Sequence, residues 1–203
     1  MKLYNSMGPN PQVVRSFAAE LGTTLELVEV DIMAAENRQE DYVKRNPGAQ
    51  LPCLELDDGT IIAEIVAICE YLDDLKGGTE LIGRTPEERA ETRMWTRRVD
   101  LGVCEPLTAG FRFAEGLPIF QDRMSCFPEA ADAMKQIARD KLVWLNEQMA
   151  GKDFLCGSRF TLADVLLYSF LNFGKNVGQA YDESLTNLHG WFQRVGARAS
   201  SSA

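Results

Sequence analysis

Histidine is almost absent from this chain: one residue, His189, in 203. One imidazole cannot build a His-rich metal site or a Cys2His2 finger, and a Ser-His-Asp or Cys-His mechanism would have to run through it. His189 precedes Gly190 and Trp191, a setting for a surface or helix-end residue. Basic residues are outnumbered too. Lys plus Arg total 21 against 30 Asp plus Glu, a net charge of -9. Such a surface repels nucleic acid phosphates and anionic lipid, so neither is expected as a partner. The five cysteines (Cys53, Cys69, Cys104, Cys126 and Cys156) contain no C-x-x-C pair. Redox and zinc spacings are therefore missing, and reduced, mostly buried thiols are expected. The longest uncharged apolar stretch, Val165 to Phe173, is too short to span a bilayer. Met1 to Asn5 shows no apolar run of signal-peptide length. These absences point to a cytoplasmic protein with no membrane role and no metal.

What is present is ordinary globular composition, 45% hydrophobic and 25% charged, in a chain long enough for one large or two small domains. The first 75 or so residues alternate strand and helix signals. Leu3-Tyr4 begins a strand. Val13, Val14, Phe17, Ala18 and Leu21 fall on one helical face between Pro11 and Leu21, and Gly22 closes that helix. Residues 25–30 and Leu51 to Leu56 read as strands, Asp58-Gly59 as a hairpin turn, and Ile61-Ile62 as the next strand. Glu64 to Leu75 returns to helical spacing. The order is β-α-β, then β-β-α.

Lys76-Gly77-Gly78 breaks the pattern. Beyond it the periods are helical: Glu87–Phe113, Pro128–Met149, Leu162–Val177 and Asn187–Val195. Residues 199–203 read as a frayed tail. The expected organisation is an α/β domain at 1–76, a linker at 77–86 and an all-helical domain at 87–203.

Three segments of the α/β half could carry chemistry. Gly8-Pro9-Asn10-Pro11 lies between the first strand and first helix. Asn10 suits an N-cap and Pro11 the first helical position, and a helix N-terminus favours an anion. Gln50-Leu51-Pro52 opens the third strand, where a proline cannot donate to a ladder. A cis Leu51–Pro52 bond would present the Leu51 backbone to a ligand; an ordinary trans proline at a strand edge is the alternative. Glu64 and Ile65 start the next helix. There Glu64 either complements the helix dipole or holds a ligand ammonium group beside the Ile65 N–H.

Together with Asn46 to Pro52, the Asp57 to Thr60 hairpin and Ala63 to Leu72, these segments resemble the thioredoxin-like domain of the cytosolic glutathione transferases. Phe160-Thr161-Leu162-Ala163-Asp164 is similar to that family's helical-domain motif, with Thr161 capping and Asp164 answering three residues on. The N-terminus resembles a bacterial and yeast-type atypical branch. The resemblance implies glutathione as co-substrate, a homodimer, and detoxifying conjugation to a small hydrophobic electrophile.

Carried over residue by residue, it implies that Leu51 and Pro52 pair with the cysteinyl part of glutathione and that Gln50 lies near the glycyl end. It implies that Glu64 and the Ile65 N–H hold the γ-glutamyl group, and that Asn37 and Arg38 lie near the glycyl carboxylate. Ile65 lacks the usual serine hydroxyl, so weaker binding is expected, by about 1 kcal/mol. Gly8 stands where serine-type transferases keep a hydroxyl. The thiolate is then left to the first helix's N-terminus and Asn10, with Ser6 assisting through water. Trp95, Arg98, Phe111, Arg112 and Phe113 are the candidates for the electrophile pocket. Two alternatives stay open: another glutathione-dependent enzyme (a disulfide or peroxide reductase, or a dehalogenase), and a non-catalytic binding or regulatory relative.

Overall fold

A computed structural model describes residues 1–202. The chain divides into two compact units, one of Met1–Thr79 with the residues from Ala199 onward and one of Glu80–Arg198.

The first unit is built on four strands: β1 (Lys2–Asn5), β2 (Glu26–Glu29), β3 (Cys53–Glu55) and β4 (Ile61–Ala63), in the order β2-β1-β3-β4. β1 and β2 are parallel, joined by helix α1 (Pro9–Glu20). β1–β3 and β3–β4 are antiparallel, with Tyr4 opposite Cys53 and Cys53 opposite Ala63. Helix α3 (Ile65–Leu75) follows β4 and packs on α1. The predicted apolar stripes are their inner faces: Val13, Val14, Phe17, Ile68, Cys69 and Leu72 are buried with Leu3 and Leu54 of the sheet. Strand side chains alternate, so Tyr4 and Cys53 point the other way. They form a second small cluster with Val30, Tyr42 and Leu51.

Two local readings are corrected here. α1 starts at Pro9 with Gly8 as its cap, not at Pro11 with Asn10 as cap. Gly8 adopts φ 119°, ψ 168°, a region open to glycine and closed to asparagine, and Pro9 takes the first helical position. Residues 31–50, where periodicity predicts no element, hold a 3-10 turn at Glu36–Arg38 and helix α2 (Glu40–Arg45). With six residues and only Tyr42 buried, α2 is too short to show a period.

The second unit is helical: α4 (Pro86–Val99), α5 (Glu105–Phe113), α6 (Leu117–Phe120), α7 (Ala131–Gln148), α8 (Leu162–Asn176) and α9 (Thr186–Gly196). The single period expected over Glu87–Phe113 is interrupted by a π-turn at Asp100–Cys104. It precedes Pro106, which has no N–H for the helical ladder. α7 crosses α5 closely at Gly110, where an added Cβ would sit 2.6 Å from Lys135 Cγ. The Thr161–Asp164 box is present, and its carboxylate does more than cap. Asp164 Oδ2 accepts from Thr161 N at 2.9 Å, while Oδ1 accepts from Leu155 N at 2.9 Å and from Trp191 Nε1 at 2.8 Å. Phe160, before the cap, packs edge-on against Phe154. The tail is also corrected: Ala199–Ser202 forms a 3-10 turn packed on α1, with Ser200 Oγ donating to Glu20 Oε1.

Candidate functional site

The strand register brings the three segments singled out by sequence to one end of the sheet. Cys53 pairs with Ala63, so Leu51-Pro52 and Glu64-Ile65 leave the β3–β4 ladder side by side. Tyr4 pairs with the same Cys53, so Asn5 and Ser6 run out beside Pro52 and Leu51. The β1–α1 loop and the N-terminus of α1 follow directly.

The Leu51–Pro52 bond is cis. Leu51 is buried, and among the described residues its amide and carbonyl enter no loop or turn hydrogen bond. Gln50 turns its side chain to solvent. Its carbonyl faces inward, accepting from the Tyr42 hydroxyl at 2.6 Å and from Asn46 Nδ2 at 2.9 Å.

Glu64 is exposed and holds φ 72°, ψ 127°, a left-handed conformation that costs a non-glycine residue about 1–3 kcal/mol. It caps α3. Ile65 is the first helical residue, so its N–H has no intrahelical acceptor. An exposed carboxylate and a helix-start N–H thus follow one another in sequence, at the position that register sets across from Pro52.

At the start of α1, Pro9 and Pro11 carry no N–H. Of the first three helical residues only Asn10 offers an amide donor, so the helix end is a narrower anion site than an ordinary first turn. Asn10 is half-buried and Ser6 is buried. Beneath them lies a polar network that sequence reading missed. The Arg15 guanidinium bonds to Asn5 Oδ1 and Gln12 Oε1, and Asn5 Nδ2 donates to Glu29 Oε1 at 2.6 Å. Burial lowers the Arg15 pKa and Glu29 raises it. The sequence signal was an arginine at one helical turn from a buried face (Val13, Val14, Phe17), but nothing in the spacing showed that it turns inward.

Asn37 and Arg38 separate. Asn37 is buried; its Nδ2 donates to Ala49 O at 2.6 Å, supporting the loop, while its Oδ1 has no partner among the described residues. Arg38 is exposed. The Tyr4 hydroxyl donates to Glu55 Oε2 at 2.7 Å and is committed to that contact. Burial pushes the thiols of Cys53, Cys69, Cys104 and Cys156 up, so these four are not thiolate nucleophiles at neutral pH. All five cysteines are free, and only Cys126 is partly exposed. Among the described residues no three His, Cys, Asp or Glu side chains are grouped to hold a metal, and no helix is long and apolar enough to cross a membrane.

The helical candidates do not form one group. Trp95 is a core residue, 5% exposed, with its ring 6.0 Å from that of Trp144 and the Arg98 guanidinium 5.0 Å away. The resemblance puts Trp95 among the pocket candidates; here its ring packs against Trp144 within the helical unit. Arg98 itself is exposed. Phe111 is wedged edge-on between Phe120 and Phe173. With the Gln179 amide assigned in the orientation that satisfies both its atoms, its nitrogen donates to Leu107 O at 3.3 Å and its oxygen accepts from Phe111 N at 3.2 Å. Arg112 pairs with Glu105 at 3.5 Å. Phe113 is half-exposed and meets Phe127, which lines an open cleft of about 640 Å³ with Leu117, Met124 and Cys126.

Comparison with known proteins agrees with this layout. Residues 1–74 match the family model "Glutathione S-transferase, N-terminal domain", and residues 118–199 match "Glutathione S-transferase, C-terminal domain". Glutathione S-transferase 2 of Saccharomyces cerevisiae is 29% identical over 95% of this chain and 84% of its own length. Glutathione S-transferase GstA of Escherichia coli O157:H7 is 30% identical over 98% of this chain and 94% of its own. The crystal structure of a glutathione S-transferase domain-containing protein from Marinobacter aquaeolei VT8 superposes with a TM-score of 0.93 at 39% identity, covering 99% of this chain and 100% of that one. A thioredoxin-like unit, a helical unit of the matching type and relatives along the whole length place the chain in the glutathione S-transferase family, on its yeast and bacterial side.

Proposed function

We propose that reduced glutathione lies along the sheet end with its cysteinyl backbone on Leu51, its γ-glutamyl group on Glu64 and the Ile65 N–H, and its thiolate over the start of α1. The chain is a glutathione transferase by family; what is proposed is the division of labour among its residues. Glu64 carries this reading. A charged residue held in a strained conformation, beside a free helix-start N–H, is the arrangement that an ammonium and its neighbouring carboxylate require.

The thiol step is within reach of these groups. Moving a thiol pKa from ~8.5 to ~7 takes roughly 2 kcal/mol. One charge-assisted bond from the Asn10 amide contributes about 1.5–3 kcal/mol, and the helix end about 0.3–1 kcal/mol. Ser6 assists through water. The thiol proton goes to solvent and the thiolate attacks the electrophile. With an aryl halide the new C–S bond replaces the carbon–halogen bond and halide leaves, so the protein's work is positioning and charge stabilisation. Gln50 and Arg38 are assigned to the glycyl end. Phe113, with its Phe127 neighbour, is assigned to a small hydrophobic electrophile, with Arg112 and Arg98 at the polar margin of that surface.

This reading makes the protein a cytoplasmic homodimer engaged in detoxification, with glutathione as co-substrate and no metal. The experiment is a steady-state conjugation assay with an aryl halide, alongside sedimentation for the dimer. Turnover saturable in glutathione and lost in Glu64→Ala supports the assignment; turnover unaffected by that change refutes it.

A further inference from the structure

Three side chains outside the proposed glutathione contacts converge on the loop that precedes Leu51. Asn37 Nδ2 donates to Ala49 O at 2.6 Å. Asn46 Nδ2 and the Tyr42 hydroxyl both donate to Gln50 O, at 2.9 and 2.6 Å. The Tyr42 oxygen also lies 3.5 Å from Cys53 Sγ. One hydroxyl therefore touches a residue on either side of the Leu51-Pro52 pair.

The consequence follows from peptide geometry. Gln50 C=O and Leu51 N–H belong to one planar trans unit, in which the oxygen and the hydrogen point in opposite directions. Two donors drawing Gln50 O inward fix the direction of the Leu51 N–H outward. Tyr42 is well placed for this. It is 5% exposed, and its ring stands edge-on to Tyr4 with centroids 6.0 Å apart. Packing holds the ring, so the hydroxyl is free to act on the loop.

We infer that Tyr42 is a positioning residue of the glutathione site: its hydroxyl, together with Asn46, sets the aim of the Leu51 N–H at the ligand. This rests on the reading that Leu51 binds the cysteinyl backbone. It identifies the task of a helix that periodicity alone does not reveal, since Tyr42 is the only buried residue of α2.

The test uses Tyr42→Phe, which keeps the ring and removes the hydroxyl. S-methylglutathione, a donor-site ligand with no ionisable thiol, is titrated by calorimetry into wild type, Tyr42→Phe and Glu64→Ala. Affinity in Tyr42→Phe is expected to fall about fivefold, the effect of one neutral hydrogen bond. KM for glutathione should rise by a similar factor while KM for the aryl halide stays put, a split that general loosening of the fold would not produce. Asn46→Ala should act in the same direction, and the double variant should be weaker than either alone. Wild-type affinity in Tyr42→Phe alongside weakened binding in Glu64→Ala overturns the role of Tyr42 and leaves the site standing. Unweakened binding in Glu64→Ala overturns the site itself, and this inference with it.

Discussion

The loop before β3 and the last turns of α5 are held by opposite means. Residues 49–52 are fixed through their backbone: Asn37, Tyr42 and Asn46 grip two successive carbonyls, and the β3–β4 register fixes where Pro52 and Glu64 emerge. Residues 111–113 are fixed through their side chains, ring against ring: Phe111 on Phe120 and Phe173, Phe113 on Phe127. A backbone-held site presents N–H and C=O groups in directions that side-chain substitution barely alters. A ring-held surface changes shape with each substitution. The proposed division of labour follows this difference, with glutathione on the backbone-held loop and the electrophile on the ring-held surface.

The largest effect expected on either side belongs to the anchor of the helical unit. Asp164 is fully buried and accepts from Leu155, Trp191 and Thr161. Asp164→Ala strands those donors and should destabilise by about 3–5 kcal/mol, by analogy with breaking a buried charged network, read from chemical denaturation. Burial, against the pull of these donors, raises the Asp164 pKa to about 6. Unfolded, an aspartate titrates near ~3.9. The folded chain thus holds this proton through the window from about pH 4 to 6 where the unfolded chain has released it. This group's contribution to stability is largest below pH 4 and is lost as pH rises through 6, a change of roughly 2–3 kcal/mol. Denaturation at stepped pH should show that component in wild type and not in Asp164→Asn.

A smaller change separates the two regions directly. Glu64→Ala should weaken glutathione binding by about 10- to 100-fold, as for loss of a charged hydrogen bond. KM for the electrophile should be little affected. Phe113→Ala should do the converse, raising KM for a hydrophobic electrophile about threefold to tenfold, the order of one partly buried ring, with glutathione affinity retained. Trp95→Phe should lower the thermal midpoint and leave both KM values alone, because its ring packs on Trp144 in the core. If Phe113→Ala and Glu64→Ala moved the same constant, the division between regions would fail.

What sequence made legible follows the same line. Gly22, Asp58-Gly59 and the Thr161–Asp164 box are short-range devices, and each stands where its chemistry puts it: Gly22 at φ 60°, Gly59 at φ 86°, Thr161 on the Asp164 carboxylate. The proline at 52 and the helix start at 64 were visible for the same reason. Asn10 was misread as a cap because two prolines and a glycine compete for one helix start, and the φ of Gly8 decides between them. Tyr42 and Arg15 were invisible because their roles depend on partners supplied by the folded sheet and loop, Gln50 and Asn5. Trp95 is a pocket candidate only by resemblance; an aromatic at helical spacing is more often core, and its ring packs on Trp144.

The most direct test is the thiol itself. Reduced glutathione is titrated into the protein, and the ultraviolet absorbance of the bound thiolate is followed against pH. The account predicts saturable binding and a bound thiol pKa well below ~8.5, lowered by the start of α1 without a serine, tyrosine or cysteine of the protein in contact. Binding with an unshifted thiol, or no binding at millimolar glutathione, would contradict it.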